Sequence, residues 1–331
     1  MIHPRVSIIT PTYRHGAYIT QCIESVRHQS FQDWEMIVID DGSPDATADI
    51  VEEFVKHDSR IRLIRHGETW GIQRLGETYN QAFDASSGEI IAILEGDDFW
   101  PTGKLAAQVP LMADTKVVLC WGRTGFTDSQ GRILGTLPSR DFPDAVRDNS
   151  PPGSILRKLM RNNFIPPASV LCRRSALNHI GGFRSHADFP AVDYPTFLEL
   201  SLIGAFRYVD EIIGCWRIHP EQSSQKLRAR QIEGGNILIR EFHSRLPRDL
   251  AGLPGMHLPH ILKRRRGQIG NHHLFLGRVL SASKKWRSSR IQYLNALKTG
   301  RSVTIPLALL GWGLSYFRCD LEKILHLMNK I

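Results

Sequence analysis

The chain has 331 residues with 42 Lys/Arg against 33 Asp/Glu, and its mean hydropathy is -0.22. That length supports two units of about 100–200 residues, or one large α/β unit with an appendage, and the five scattered cysteines, an odd number without a C-x-x-C pair, exclude a disulfide framework and fit buried free thiols in a reducing compartment. No run reaches the ~20 apolar residues of a membrane span, and the +9 charge is uneven: residues 221–331 carry 20 Lys/Arg and 6 Asp/Glu, residues 1–220 carry 22 and 27.

In chain order, Val6–Thr10 is the first predicted strand, too short and too β-branched for a signal-peptide core. A soluble or membrane-peripheral cytoplasmic protein is therefore expected. A helical stripe of Tyr18, Cys22, Ile23 and Val26 follows, then a strand over Glu35–Asp40 and a second stripe of Ile50, Val51, Phe54 and Val55. Ile61–Arg65 and Glu89–Leu94 read as further strands. This βαβα rhythm predicts a mostly parallel sheet flanked by helices, with a ligand crevice at the carboxyl ends of the strands. A helix near 101–112, a strand near Val117–Trp121 and a long loop from Thr127 to Pro152 come next, and a loop of that length suits a cover over an acceptor. Ser169–Cys172 reads as strand, Gly181-Gly182 as a turn, Pro195–Leu202 as helix and Phe206–Ile213 as strand. Beyond His219 the pattern is helical and basic, over 226–245, 268–280, 288–298 and 318–330.

The acidic residues gather where strands end. Glu95-Gly96-Asp97-Asp98 follows the fourth strand, and its carboxylates suit a hard cation such as Mg²⁺ or Mn²⁺ that keeps positions open for phosphate oxygens. Asp40-Asp41-Gly42-Ser43 closes the second strand. Carboxylates there repel phosphate but accept hydrogen bonds from a base or a ribose, so a nucleotide carrying its own cation satisfies both turns. The G-x-G-x-x-G and P-loop patterns are missing, as are H-E-x-x-H and G-x-S-x-G.

With its opening Val6-Ser7-Ile8-Ile9-Thr10-Pro11-Thr12-Tyr13, the Asp40–Ser43 turn and Gly88–Ala92 running into the acidic cluster, the chain resembles glycosyltransferase family 2. Gly181-Gly182-Phe183, Asp193-Tyr194-Pro195 and Trp216-Arg217-Ile218-His219 extend the likeness over about residues 5–220. The resemblance implies a GT-A fold: a domain over 1–220, with a nucleotide-binding half (1–100) and an acceptor-binding half (101–220), followed by a helical basic region over 221–331. It implies an inverting, metal-dependent transferase, a hexosyltransferase first, acting from a nucleoside-diphosphate sugar, a UDP-sugar before others, onto a glycan or lipid-linked acceptor in cell-surface polysaccharide or lipopolysaccharide assembly.

Roles follow residue by residue from the same resemblance. Pro11 and Tyr13 line the base pocket, Asp41 accepts from the base, and Asp40 shapes its turn or meets the ribose. Asp97 binds the Mn²⁺ or Mg²⁺ ion; Glu95 stands where the family has its first Asp and, one methylene longer, reaches ribose or a metal-bound water. His219 approaches the cation and Arg217 the pyrophosphate. Asp193 deprotonates the acceptor, with Asp188 in reserve, although an aspartate here also suits a helix cap and Val192 replaces the usual acidic neighbour. Two rivals remain: a noncatalytic sugar-nucleotide or glycan-binding protein, and a nucleotidyltransferase, which Thr10–Gly16 opposes by lacking a glycine-rich basic loop. Lys263–Arg266 lacks any nucleic-acid-binding motif, so no nucleic-acid partner is expected. With the apolar Leu307, Leu309, Leu310, Trp312 and Phe317, the basic last third is instead expected to meet an anionic membrane surface, the alternative being that Leu307, Leu310 and Leu314 pack back on the catalytic domain and the charges are solvated.

Overall fold

The computed structural model describes residues 4–138, 148–150, 153–219, 221–282, 284–299 and 304–319. Its first half alternates strand and helix: β1 (Val6–Thr12), α1 (Ile19–Arg27), β2 (Trp34–Asp40), α2 (Thr47–His57), β3 (Ile61–Arg65), α3 (Leu75–Ala85) and β4 (Ile90–Ile93). Every residue of β1 and β4 is buried, as expected for strands covered on both faces by helices. The α1 stripe, Ile19, Cys22, Ile23 and Val26, lies in the core beneath them.

The chain then runs through α4 (Lys104–Gln108), β5 (Val117–Thr127), β6 (Ile133–Leu137), α5 (Leu156–Leu159), β7 (Leu171–Arg173), α6 (Arg174–His179), α7 (Asp193–Ile203) and β8 (Ala205–Arg217). The sheet order is β3-β2-β1-β4-β7-β5-β6, with β8 pairing β5. Strands β1 to β4 are mutually parallel, whereas β7 runs antiparallel to β4 and β5. Order reverses at β1, between β2 and β4, and the crevice there lies outside the carboxyl ends of β1, β2 and β4.

Three expectations are corrected. The helix near 101–112 shortens to α4 and a 3₁₀ turn over Val109–Ala113, with Pro110 near the start of that turn. The strand expected to end near Trp121 continues to Thr127, because Gly122 and Gly125, beyond the expected strand, sit in the ladder to β8. A Cβ on Gly122 would lie 2.5 Å from the Val209 carbonyl oxygen, so this strand crossing needs a glycine. The expected Thr127–Pro152 loop also contains β6, whose Ile133, Leu134 and Leu137 stay exposed. Residues 139–147, 151–152 and 320–331 lie outside the described residues, and with them most of the helix expected at 318–330.

The chain divides into two compact units at Glu241/Phe242, some twenty residues beyond the boundary expected at 220. The first unit takes in α8 (Ser223–Lys226) and most of α9 (Arg228–Ser244); the second holds α10 (Arg248–Ala251), α11 (Leu258–Ala282), α12 (Trp286–Thr299) and α13 (Thr304–Tyr316). Helices α11 to α13 pack on Leu274, Tyr293, Ala296 and Ala308. Leu307, Trp312 and Leu314 pack against that cluster, so Trp312 is no surface anchor, whereas Leu309, Leu310 and Phe317 face outward. Cys22, Cys120, Cys172 and Cys215 are buried free thiols and Cys319 is exposed. Among the described residues no helix is long and apolar enough to cross a membrane.

Candidate active site

The backbone leaving β4 stays beside β1: Leu94 N–H donates to Ile9 O and Gly96 N–H to Pro11 O. That pairing carries Glu95, Asp97 and Asp98 to the mouth of the crevice, where their ligand oxygens lie within 4.8 Å of one another. Gly96 is fixed by close approach. A Cβ there would lie 2.5 Å from Thr12 Oγ1 and 2.9 Å from His15 Nδ1.

Crowding these carboxylates sets their acidities apart. Burial, then the charge of Asp97, pushes Glu95 up to about 7, and its Oε1 accepts from Tyr79 Oη–H at 2.8 Å. Asp98 is likewise raised by burial and by its acidic neighbours, although its Oδ1 accepts the Arg217 backbone N–H at 2.9 Å. Burial would raise Asp97 too, but the charge of His15 and the hydrogen bond from His219 outweigh it and hold Asp97 below the usual range. His219 Nε2 lies 3.0 Å and His15 Nε2 3.8 Å from Asp97 Oδ2. Three hard oxygen donors in one cluster, two of them driven toward the protonated form by burial and then by the charge of their acidic neighbours, are a donor set that a divalent cation fits.

Asp193 begins α7, with Val192, 3% exposed, at the cap position. The cap expectation is therefore corrected: the capping residue is Val192, and Asp193 Oδ2 accepts from Asn163 Nδ2 at 2.7 Å. Burial raises the Asp193 carboxyl above its ordinary value, outweighing the backbone and Asn163 donors. Its charge reaches Glu95 and Tyr79, so it shares the neighbourhood of the acidic cluster. Asp188 is exposed in the preceding loop.

Other expected residues sit differently. Arg217, 1% exposed, donates from Nε to Asp97 O at 2.7 Å, from one terminal nitrogen to Ser129 O at 2.9 Å and from the other to Gln21 Oε1 at 2.7 Å. Its guanidinium is thus spent holding the acidic turn, which corrects the expected pyrophosphate contact. Asp41 Oδ1 accepts from Trp70 N–H at 2.9 Å and from His66 Nδ1 at 2.8 Å, and Oδ2 from Gly71 N–H at 2.8 Å. Most of its accepting capacity organises the 66–71 loop, where His66 stacks on Trp70 with centroids 3.7 Å apart. Asp40 is fully buried, and its Oδ2 accepts Ser43 N–H to close the turn. Pro11 lies buried at the end of β1, and Tyr13 beyond it is 39% exposed. Sequence reasoning missed His15, Tyr79 and Asn163, since each meets its carboxylate only through the fold.

A carboxylate cluster lies at the switch point of a mostly parallel sheet, with a separate raised carboxyl in its neighbourhood, and the cluster is one that could hold a metal ion. The profile of the family described as Glycosyl transferase family 2 matches residues 7–181, and the chain belongs to that family. It is similar to the putative glycosyltransferase EpsH of Bacillus subtilis, 31% identical over 250 residues that cover 71% of this chain and 67% of the relative. It is also 32% identical over 173 residues to the UDP-Glc:alpha-D-GlcNAc-diphosphoundecaprenol beta-1,3-glucosyltransferase WfgD of Escherichia coli, covering 52% of this chain and 62% of that protein. Among solved structures, the mannosyltransferase PcManGT of Pyrobaculum calidifontis superposes with a TM-score of 0.61 at 19% identity, over 96% of this chain and 81% of the other. The fold is GT-A.

Because Gly96 has no room for a side chain, Gly96→Ala should displace Thr12 and His15 and splay the acidic turn. Isothermal titration should show Mn²⁺-supported nucleotide binding weakened at least ~10-fold, with urea stability lowered by only about 1–3 kcal/mol, the usual cost of overpacking. Parent-like binding would remove the close approach from the account.

Proposed function

We propose that the chain transfers one sugar from a nucleoside-diphosphate sugar, a UDP-sugar before others, to a hydroxyl of a glycan or lipid-linked acceptor in a single inverting displacement. The observation that carries this reading is the convergence of Glu95, Asp97 and Asp98 with a separate carboxyl, Asp193, at the crevice beside β1 and β4. The UDP-Glc donor and diphosphoundecaprenol acceptor in WfgD's name support the substrate classes, and cell-surface polysaccharide or lipopolysaccharide assembly on the cytoplasmic side of a membrane is the corresponding setting.

In this reading Asp97, with His219 and Glu95 beside it, would hold a divalent cation. The ion would offset the charge of the departing diphosphate. Tyr79 keeps Glu95 turned into the cluster, and at the end of β8 Arg217 holds the Asp97 backbone carbonyl through its Nε–H and the Asp98 carboxylate through its backbone N–H. Asn163 orients Asp193, whose raised basicity suits it to take the acceptor's proton as the oxygen attacks. Pro11 and Tyr13 flank the base, while Asp41 and the His66–Trp70 stack shape that end of the crevice. A panel of nucleotide sugars, with and without Mn²⁺ or Mg²⁺, tests the proposal through nucleoside-diphosphate release and the mass of the acceptor product. One nucleotide sugar should be consumed only with the cation present. A chain that binds nucleotide sugar yet turns over none with glycan or polyprenyl-diphosphate acceptors would favour the noncatalytic binding role.

A further inference from the structure

Between Asp249 and Asp320 the sequence contains 12 Lys/Arg and no acidic residue. The second unit folds part of this excess around one cavity of about 500 Å³, lined by Lys284, Lys285, Arg287, Arg290, Arg318 and Tyr316 among others. No acidic side chain is among the described residues lining it. Lys284 follows α11 with φ of +58°, and Arg318 follows α13 with φ of +53°. Both hold the left-handed conformation that usually takes glycine at a helix end, so each of these two turns brings a cation to the cavity wall. Arg290 lies over the Tyr316 ring, 4.5 Å from its centroid. The first turn of α12 completes the wall, where the positive end of the helix dipole adds to the field.

Several cations around one cavity repel each other unless an anion sits among them. The surroundings tell what sort of anion. Tyr316 is 58% exposed and Phe317, between Tyr316 and Arg318 in the chain, is 80% exposed. On α12, Arg287, Ile291 and Leu294 follow i, i+4, i+7 spacing and share one face, with Ile291 and Leu294 both exposed. A small soluble anion would leave these apolar side chains in water. A lipid headgroup would not, because its phosphate and its hydrocarbon meet both kinds of surface at once.

We propose that this pocket receives the phosphate of an anionic phospholipid, docking the chain on a bilayer surface with Tyr316 and Phe317 entering the headgroup boundary. Helix α13 has 13 residues, about 20 Å at 1.5 Å per residue, against a hydrocarbon core of about 30 Å. It lies on the surface and does not cross. The docking is independent of sugar transfer, since every residue invoked lies in the second unit.

Vesicle cosedimentation of the full chain tests this, using phosphatidylcholine alone and phosphatidylcholine mixed with phosphatidylglycerol, at low and high salt. Binding should require phosphatidylglycerol and weaken with salt. Lys284→Gln/Lys285→Gln should lower vesicle affinity by about 10-fold or more, whereas Lys263→Gln/Arg264→Gln, which removes the same charge from the exposed face of α11, should lower it by no more than about 3-fold, as expected for a screened general field. Phe317→Ser should weaken binding without changing its dependence on phosphatidylglycerol. Circular dichroism and nucleotide titration on each variant should match the parent, which separates lost docking from lost folding and from failure of the catalytic reading. Equal losses from the two double variants would overturn the pocket in favour of diffuse charge. Failure of the parent to sediment with phosphatidylglycerol vesicles at low salt would overturn docking altogether, as would retention on single-stranded RNA in place of vesicles.

Discussion

Replacing Asp97 with Asn should abolish cation-supported nucleotide binding while the chain stays folded. Asp97 is buried, accepts from His219, faces His15 and is the one member of the acidic cluster held below the usual carboxylate range. Of the three it is the carboxyl whose surroundings favour the charged form. Changing the hydrogen-bond partners of metal ligands commonly costs ~10–100-fold in metal affinity, so loss of the ligand itself should exceed ~10²-fold. Asn preserves size and removes only the charge; isothermal titration of nucleotide, with and without Mn²⁺, should give two equal, weak curves. A surviving Mn²⁺ dependence would move the ion to Glu95 and Asp98.

The second large effect is expected at Asp193. Asp193→Asn should bind donor and cation like the parent and turn over at least ~10²-fold more slowly, the lower end for removal of a positioned base. The sign of its pH dependence follows from its raised pKa: the carboxylate is the working form, so the rate should fall as pH drops through that raised value. Below it the proton is already in place and cannot be accepted again. The Asn variant should lose this acid limb while keeping its residual rate, which a merely structural role would not produce. If Asp193→Asn turned over at the parental rate, and Asp188→Asn did not, the base would lie in the exposed loop instead.

The parts of this site legible in the sequence are those whose chemistry is local. Val6–Thr12, Trp34–Asp40 and Ile90–Ile93 are dense β-branched runs buried on both faces, and the acids that follow them stand where a parallel sheet places ligands. The Asp193 position was legible through the family pattern, but its partner Asn163 was not, since thirty residues separate them and only the packing of α7 joins them. The family resemblance implied a pyrophosphate contact for Arg217. The fold instead buries it under Tyr18 and Phe99, with its donors turned to backbone and Gln21. In β5, the expected strand stops short of Gly122 and Gly125, because a glycine demanded by a close strand contact looks the same in sequence as one demanded by a turn. Trp312 misled similarly: in an almost wholly apolar helix, spacing alone does not say which face meets the bundle.

The central claim is a single displacement in which Asp193 takes the proton and no residue of the chain bonds to the sugar. Proton NMR of the first-formed product, followed from a donor of known anomeric configuration, tests it most directly. A one-step reaction predicts the opposite configuration at the anomeric carbon from the earliest detectable turnover. Product that keeps the donor's configuration would require two displacements or a front-face route, and would contradict the role assigned to Asp193.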